Sequence, residues 1–179
     1  MNVRPAIFYT IAFFILLPIY FWDRPSLKPV TLSQQEESLL KLTDITSVEM
    51  DRGRETLKFE RAGESKQFQV VTPAGKFIPQ DLMEALTQLL LTQKQVEVVA
   101  ENTKEVAQFG LDQPQSVMLI QSPGHAEPIK ITFGAENPTH TAIYAQVAGK
   151  PQVFLLGKNI EYYGALMFQW VEGKQGKNA

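Results

Sequence analysis

One uncharged run, from Pro5 to Trp22, constrains what this chain can fold into more than any other feature of its sequence. Arg4 precedes the run and Asp23 follows it, so about 18 residues can lie in hydrocarbon before a charged side chain must reach water. This length is at the lower end for a membrane-spanning helix. A helix in a protein core usually keeps a polar stripe, whereas this run contains no charged or amide side chain. The sequence therefore predicts a transmembrane anchor in residues 1–22.

The end of this run indicates that the helix is retained and not cleaved. A signal peptide needs small residues at its cleavage site, and here Tyr20, Phe21 and Trp22 occupy that position. The rings of Tyr20 and Trp22 suit the membrane interface, where an apolar body and a polar tip meet lipid and water. The chain has no cysteine, which excludes a lipoprotein anchor. We therefore expect a single-pass membrane protein in contact with the lipid bilayer.

The charges beside the run predict its orientation. Arg4 and the terminal amine favour a cytoplasmic N-terminus, although Arg24 and Lys28 lie close to the other end. A short N-terminal flank usually stays inside, so we expect the rest of the chain to be translocated.

The residues after the anchor divide into a linker, one domain and a tail. Prolines and polar residues at 23–43 predict a stalk, residues 44–171 carry the apolar patterning of one α+β domain, and residues 172–179 are predicted to be flexible. Of the 17 basic residues only Arg4 lies in the anchor, which leaves 16 basic against 19 acidic side chains and a net charge of −3. Because these charges are interspersed, nucleic-acid binding is not expected.

A short helix is predicted near the end of the linker. Ser33 and Glu36 have the spacing of a capping box, in which each side chain bonds a backbone N–H of the first turn. The helix would continue through Leu39, Leu40 and Leu42 and dock the domain onto its anchor.

Apolar alternation from Ile45 onwards predicts a sheet-rich α+β domain. Strand patterns occur around residues 45–50, 57–59, 68–70, 96–99, 116–121, 129–133, 142–147 and 153–156. Glycine and proline between these patterns predict antiparallel hairpins. One helical stripe follows Pro79 and consists of Leu82, Leu86, Leu89 and Leu90. Another follows a cap at Asn159 and consists of Ile160, Tyr163, Met167 and Trp170. Two or three helices are thus expected to cover the sheet.

The segment Phe109 to Pro114 (FGLDQP) predicts the end of a third, short helix, capped at its start by Asn102 or Thr103. Gly110 would adopt the left-handed conformation after the last turn, and Leu111 would contact Val106, as in a Schellman motif. This structural role accounts for the segment without any ligand.

The sequence contains few residues suited to metal binding or catalysis. His125 and His140, the chain's two histidines, both lie in predicted loops. His140 could join Glu136 in a metal site, but a loop supplies no regular geometry to bring ligands together. The motifs of a nucleophile elbow, a P-loop and a dinucleotide-binding turn do not occur. We expect no metal and no cofactor.

Four acidic residues are the remaining candidates for acid–base catalysis. Glu36 and Glu37 adjoin in the linker, and Glu49 and Asp51 would share the solvated face of one strand. A catalytic acid and base need different surroundings, and two residues on one wet face share theirs. We therefore expect no catalytic residue and a protein that is not an enzyme.

The last predicted helix is unusually aromatic. It carries more aromatic side chains than a single buried stripe requires, namely Tyr162, Tyr163, Phe168 and Trp170. Burial on the sheet is one explanation. The other is an exposed remainder, with Tyr162, Phe168 and Trp170 as candidate contacts to a partner or to lipid headgroups.

Four features, in their order along the chain, resemble the uncharacterised DUF4340 family. They are the helix after Pro79, the FGLDQP segment, Phe133-Gly134 at the end of a strand pair, and a strand with Ile143 to Ala145 (IYA). The resemblance spans roughly Ile45 to Leu156. It implies one N-terminal anchoring helix and, for some members, genes beside gliding-motility-type ABC transporter components. It implies no catalytic residues.

These observations lead to three functional hypotheses. The first is a non-enzymatic accessory subunit that docks on a larger membrane-protein complex, for ABC-type transport or in a bioenergetic or photosynthetic assembly. The second is a tethered module that binds a peptide or a cell-envelope polymer in a cleft of the sheet. The third is a tethered hydrolase that would use residues such as His140, Glu136, Glu49 and Asp51.

Overall fold

The computed structural model describes residues 38–63, 66–93, 97–102 and 106–173. These ranges lie in one compact unit, Glu36–Ala179. The predicted anchor, with Tyr20 and Trp22, lies outside the described residues, as do the capping-box residues of the linker and most of the tail. No helix within the described ranges combines the length and the apolar composition needed to cross a bilayer.

The described ranges form one eight-stranded antiparallel sheet, two α-helices and one 3₁₀ helix. The strands are β1 (Ser47–Arg52), β2 (Glu55–Arg61), β3 (Phe68–Thr72), β4 (Glu97–Ala100), β5 (Ser116–Gln121), β6 (Ile129–Glu136), β7 (Ala142–Val147) and β8 (Val153–Gly157). The helices are α1 (Gln80–Thr92), the 3₁₀ helix (Val106–Phe109) and α2 (Asn159–Glu172). The strand order is β3-β2-β1-β5-β6-β7-β8-β4. The predicted α+β class with antiparallel hairpins is confirmed.

One face of the sheet carries the core. Val48 in β1 lies opposite Phe59 in β2 and Ile120 in β5, and all three are fully buried. Because side chains alternate along a strand, this register aligns the apolar positions of successive strands on one face. The helices α1 and α2 cover that face, and Leu86 and Leu90 of α1 and Met167 of α2 are each 0% exposed.

The buried stripe of α1 differs from the predicted one. The side chains that it buries are Met83, Leu86, Thr87 and Leu90. Leu82 and Leu89 are only partly buried beside them, so the stripe is rotated. Thr87 is tolerated in the core because its hydroxyl donates to the carbonyl of Met83 one turn earlier.

The predicted linker helix through Leu39, Leu40 and Leu42 is wrong, since these residues form a turn and irregular chain. All three are nonetheless buried in the core. The N–H of Leu39 donates to the carbonyl of Gln93 after α1 (2.8 Å), and the Lys150 ammonium donates to the carbonyl of Leu39 (2.8 Å). Burial, with a smaller contribution from Lys41, lowers the pKa of Lys150. Bonds to distant elements thus replace the helical ones.

The start of α2 also differs from the prediction. Lys158 occupies the cap position, no side chain caps the helix there, and Asn159 is the first helical residue. The buried residues of α2 are Ile160, Gly164, Met167 and Phe168, with Tyr163 and Trp170 partly buried beside them. Gly164 faces β1, since a Cβ there would make an ordinary contact with the sulfur of Met50 at 3.4 Å.

Candidate functional site

The predicted end of the short helix is confirmed, although the helix is of the 3₁₀ type. Gly110 has a φ of +68°. Its N–H donates to the carbonyl of Ala107 (3.0 Å), and the N–H of Leu111 donates to the carbonyl of Val106 (3.1 Å). These are the two hydrogen bonds of a Schellman motif. The alternative cap Thr103 lies outside the described residues.

This helix end packs against β6 through a second glycine. A Cβ added to Gly134 would overlap the carbonyl oxygen of Phe109 and lie 3.1 Å from the carbonyl carbon of Gly110. The ring of Phe109 lies 5.0 Å from that of Tyr144 in β7, on the sheet face opposite the two α-helices. The FGLDQP segment and Phe133-Gly134 therefore form one structural unit, which explains both motifs without a ligand.

His140 and Glu136 do come together, at the turn between β6 and β7. Nδ1 of His140 lies 2.6 Å from one carboxylate oxygen of Glu136, and the Lys158 ammonium lies 2.6 Å from the other. Asn137 holds the turn, because its side-chain oxygen accepts from the N–H groups of Thr141 (2.9 Å) and Ala142 (3.1 Å). The cluster ties the β6–β7 hairpin to the residue that precedes α2.

The charges in this cluster shift two pKa values in opposite directions. The hydrogen bond from Lys158, followed by that from His140, holds the pKa of Glu136 below its ordinary value of 4.5. The same carboxylate raises the pKa of Lys158. Groups of three or more histidine or acidic side chains placed to hold a metal ion do not occur among the described residues.

We expect that Glu136→Gln makes the free energy of unfolding fall less when the pH is lowered. A carboxyl whose folded-state pKa is lowered adds stability above its ordinary pKa, 4.5 here, and that stability is lost as the pH falls through the folded-state pKa. Urea unfolding of the full chain at pH 6 and pH 3.5 measures the change. The effect is small because the ion pairs of Glu136 with Lys158 and His140 lie at the solvent-accessible surface.

The matched control for that measurement is Glu127→Gln, which alters an exposed carboxylate in the β5–β6 turn. The unaltered protein and this control should lose more stability between the two pH values than Glu136→Gln does. Identical losses in all three proteins would contradict the assignment.

Glu49 and Asp51 lie, as predicted, on the face of β1 opposite its buried residues. Glu49 is aligned with Lys58 of β2, and a carboxylate oxygen of Asp51 accepts a hydrogen bond from the hydroxyl of Thr56 (2.6 Å). A shallow polar depression of about 430 Å³ on this face includes Glu49 and Arg61. Glu36 and Glu37, the other predicted pair, lie outside the described residues.

An aromatic surface, defined here as Phe77, Tyr162 and Trp170, lies on and beside α2. Phe77 is 71% exposed and packs edge-on against Trp170, with ring centroids 6.4 Å apart. Tyr162 is 60% exposed and packs edge-on against Tyr163. Phe77 was missed in the sequence because it lies in the irregular segment before α1 and belongs to no periodic pattern.

Phe168, the third aromatic residue predicted to contact a partner, is 5% exposed, and this corrects the expectation that its ring is available. It belongs to the buried stripe of α2, where the Arg52 guanidinium lies 4.7 Å from the centre of its ring.

A small open cleft lies between α2 and the ends of β1 and β5. Its volume is about 80 Å³, and its walls include the apolar side chains of Met50, Met118, Phe133, Ile160 and Phe168. Arg52 and Glu161 supply polar groups. One carboxylate oxygen of Glu161 is shielded from solvent and has no hydrogen-bond partner in the described part of the chain.

Comparison with known proteins gives one match. A sequence profile of the family described as "Domain of unknown function (DUF4340)" matches residues 70–174, which is more than half of the chain. No curated protein and no solved structure matches. The matched region contains both glycine motifs and extends through α2, beyond the Leu156 limit of the predicted resemblance. The predicted family is thereby confirmed, and the chain belongs to the DUF4340 family.

Proposed function

We propose that this protein is a non-enzymatic accessory subunit, anchored in a membrane by residues 1–22, whose domain docks on a larger membrane-protein complex. The observation that carries the proposal is the exposure of Phe77 and Tyr162 on the helical side of the domain. The complex that we propose is an ABC-type transport assembly or a bioenergetic or photosynthetic one.

Exposed rings on or beside a helix that also belongs to the core are suited to docking. A buried aromatic side chain removes roughly 150–250 Å² from water, and aromatic residues are enriched in protein interfaces. Tyr163 and Trp170, which contact the two exposed rings, lie two turns apart on α2, a distance of about 10 Å. Because the other side of α2 packs on the sheet, these rings are held on a rigid support.

Replacing the two exposed rings should weaken the proposed complex. We expect the unaltered protein, purified by a tag from native membranes in mild detergent, to migrate with larger membrane proteins in fixed stoichiometry. The double variant Phe77→Ser and Tyr162→Ser should retain less than about a tenth of them, since losing one hot-spot residue commonly weakens binding tenfold or more. Size separation with mass spectrometry measures both.

Val71→Ser is the matched control, because Val71 is also an exposed apolar residue (39%) but lies on the edge strand β3. It should retain the complex. An unaltered protein that migrates alone, or a double variant that retains its partners fully, would contradict the docking proposal.

The cleft beside α2 favours a second candidate function, a tethered module that binds a peptide. Ligand sites are typically apolar hollows with a few converging polar groups. The cleft has apolar walls, and Arg52 and Glu161 lie at its polar side.

A further inference from the structure

Six residues before the first strand, 38–43, pack on the domain without belonging to a helix or a strand, and we call this segment the strap. Leu39, Leu40 and Leu42 are buried, which favours the closed strap. Ordering six residues of irregular chain costs conformational entropy of a similar size, and Lys41 adds backbone strain through its φ of +52°. Because these opposing effects are comparable, the polar contacts of the strap decide whether it stays closed.

Hydrogen bonds fasten the strap at both of its ends. Directly after the strap, the Arg61 guanidinium of β2 donates to both carboxylate oxygens of Asp44 (2.8 Å each). Near the start of the strap, the N–H of Leu39 donates to the carbonyl of Gln93 (2.8 Å), and the carbonyl of Leu39 accepts from the Lys150 ammonium (2.8 Å). The Arg61 contact fixes the point where the strap joins the sheet, so the contacts of Leu39 determine whether the strap is open or closed.

Lys150 is suited to hold a segment that can also detach. Its own backbone is fixed in the turn between β7 and β8, where its N–H donates to the carbonyl of Val147 (3.0 Å). Its ammonium lies 5.8 Å from the centre of the Phe154 ring and pairs with no carboxylate in the described part of the chain. Burial lowers the pKa of Lys150, so the charged form is disfavoured there. Removing this charge need not destabilise the folded domain, although it leaves the carbonyl of Leu39 without a donor.

We propose that Lys150 controls a local opening of the domain: the strap is closed while the ammonium bonds Leu39, and without that bond it detaches as a unit while the sheet and the helices stay folded. Detachment would add six residues to the chain between the proposed anchor and the domain, about 20 Å when extended. The aromatic surface could then reach a partner farther from the membrane. This consequence rests on the proposed anchoring by residues 1–22.

Hydrogen exchange of the full chain in detergent micelles, followed by NMR, tests the opening in the unaltered protein. Exchange of the Leu39 amide should not depend on low urea concentrations, because a local opening exposes little surface. Exchange of Val48, in a strand that pairs on both sides, requires unfolding of the sheet and should accelerate with urea. The same urea dependence at both amides would overturn the proposal, because the strap would then open only with the sheet.

Substitutions at Lys150 test its control of the strap. We expect Lys150→Met to accelerate exchange at Leu39 about tenfold or more, the factor for one hydrogen bond to a charged group, and to leave exchange at Val48 unchanged. Lys150→Arg keeps a charged donor and should exchange like the unaltered protein. Lys130→Met, which alters an exposed lysine of β6, is the control and should change neither amide. An unchanged rate at Leu39 in Lys150→Met, or equal acceleration at Leu39 and Val48, would overturn the proposal.

The exchange rate at Leu39 is independent of which proteins migrate with the chain. Its failure to respond would reject the opening of the strap and leave the docking proposal standing.

Discussion

Gly134→Ala is expected to destabilise the domain by about 3 kcal/mol or more, the upper end of the range for inserting a methyl group into a packed interior. The new Cβ would overlap the carbonyl oxygen of Phe109 and lie 3.1 Å from the carbonyl carbon of Gly110. Both are backbone atoms at the end of the 3₁₀ helix, and the Schellman hydrogen bonds hold that backbone in place. Neither a rotamer change nor a flexible side chain can relieve the overlap.

Gly157→Ala is the matched control for this substitution. Gly157 also lies in a strand, β8, but an added Cβ there would meet nothing within 4 Å among the described residues. Urea unfolding should show a stability close to that of the unaltered protein for Gly157→Ala and a much lower one for Gly134→Ala. Equal unfolding midpoints for the two variants would show that the helix end does not press on β6.

Residues 70–174 alone, the part matched by the family profile, should fail to fold cooperatively. That fragment lacks β1 and β2 and therefore four core side chains, each at most 3% exposed: Val48, Met50, Leu57 and Phe59. Truncating one large core side chain costs about 2–5 kcal/mol, whereas a whole domain is typically stable by about 5–15 kcal/mol. The loss of these four side chains, about 8–20 kcal/mol together, would therefore be as large as the whole stability of a typical domain. The fragment would also expose the edge of β5 that β1 covers.

The comparison for this fragment is residues 36–179, the whole compact unit. It should give a cooperative thermal transition and dispersed amide NMR signals, and the fragment should give neither. A cooperative transition for residues 70–174 would mean that β1 and β2 are dispensable, contrary to their position inside the sheet.

The strands could be predicted from the sequence because the sheet has one buried face. Alternation such as that of Val48 and Met50 reports burial directly, and each predicted strand is present. Helical periodicity was less informative. One of the buried positions of α2 is Gly164, which carries no side chain and so contributes nothing to an apolar pattern. The apolar pattern instead predicts a stripe that includes the larger Tyr163 and Trp170, which are only partly buried.

The candidate sites depended on contacts that no local pattern contains. The role of Gly110 was predictable because a helix end has a local sequence signature. At Gly134 a side chain is excluded by the carbonyl oxygen of Phe109, which lies in the 3₁₀ helix and is distant in sequence. Glu161 looks ordinary in sequence, since an acidic residue is common in the first turn of a helix. Its position in the folded domain is what shields one carboxylate oxygen from solvent.

The position of β1 has a consequence for how the domain is completed. β1 is the first described strand in the sequence, yet in the sheet it lies between β2 and β5, with Met50 opposite Met118. During synthesis the β1–β2 hairpin must therefore wait, with one strand edge unpaired, until β5 has emerged. Pairings between distant residues slow folding, and an open edge invites pairing with other chains. We therefore expect aggregation during expression to be most sensitive to substitutions that expose or delay this β1–β5 seam.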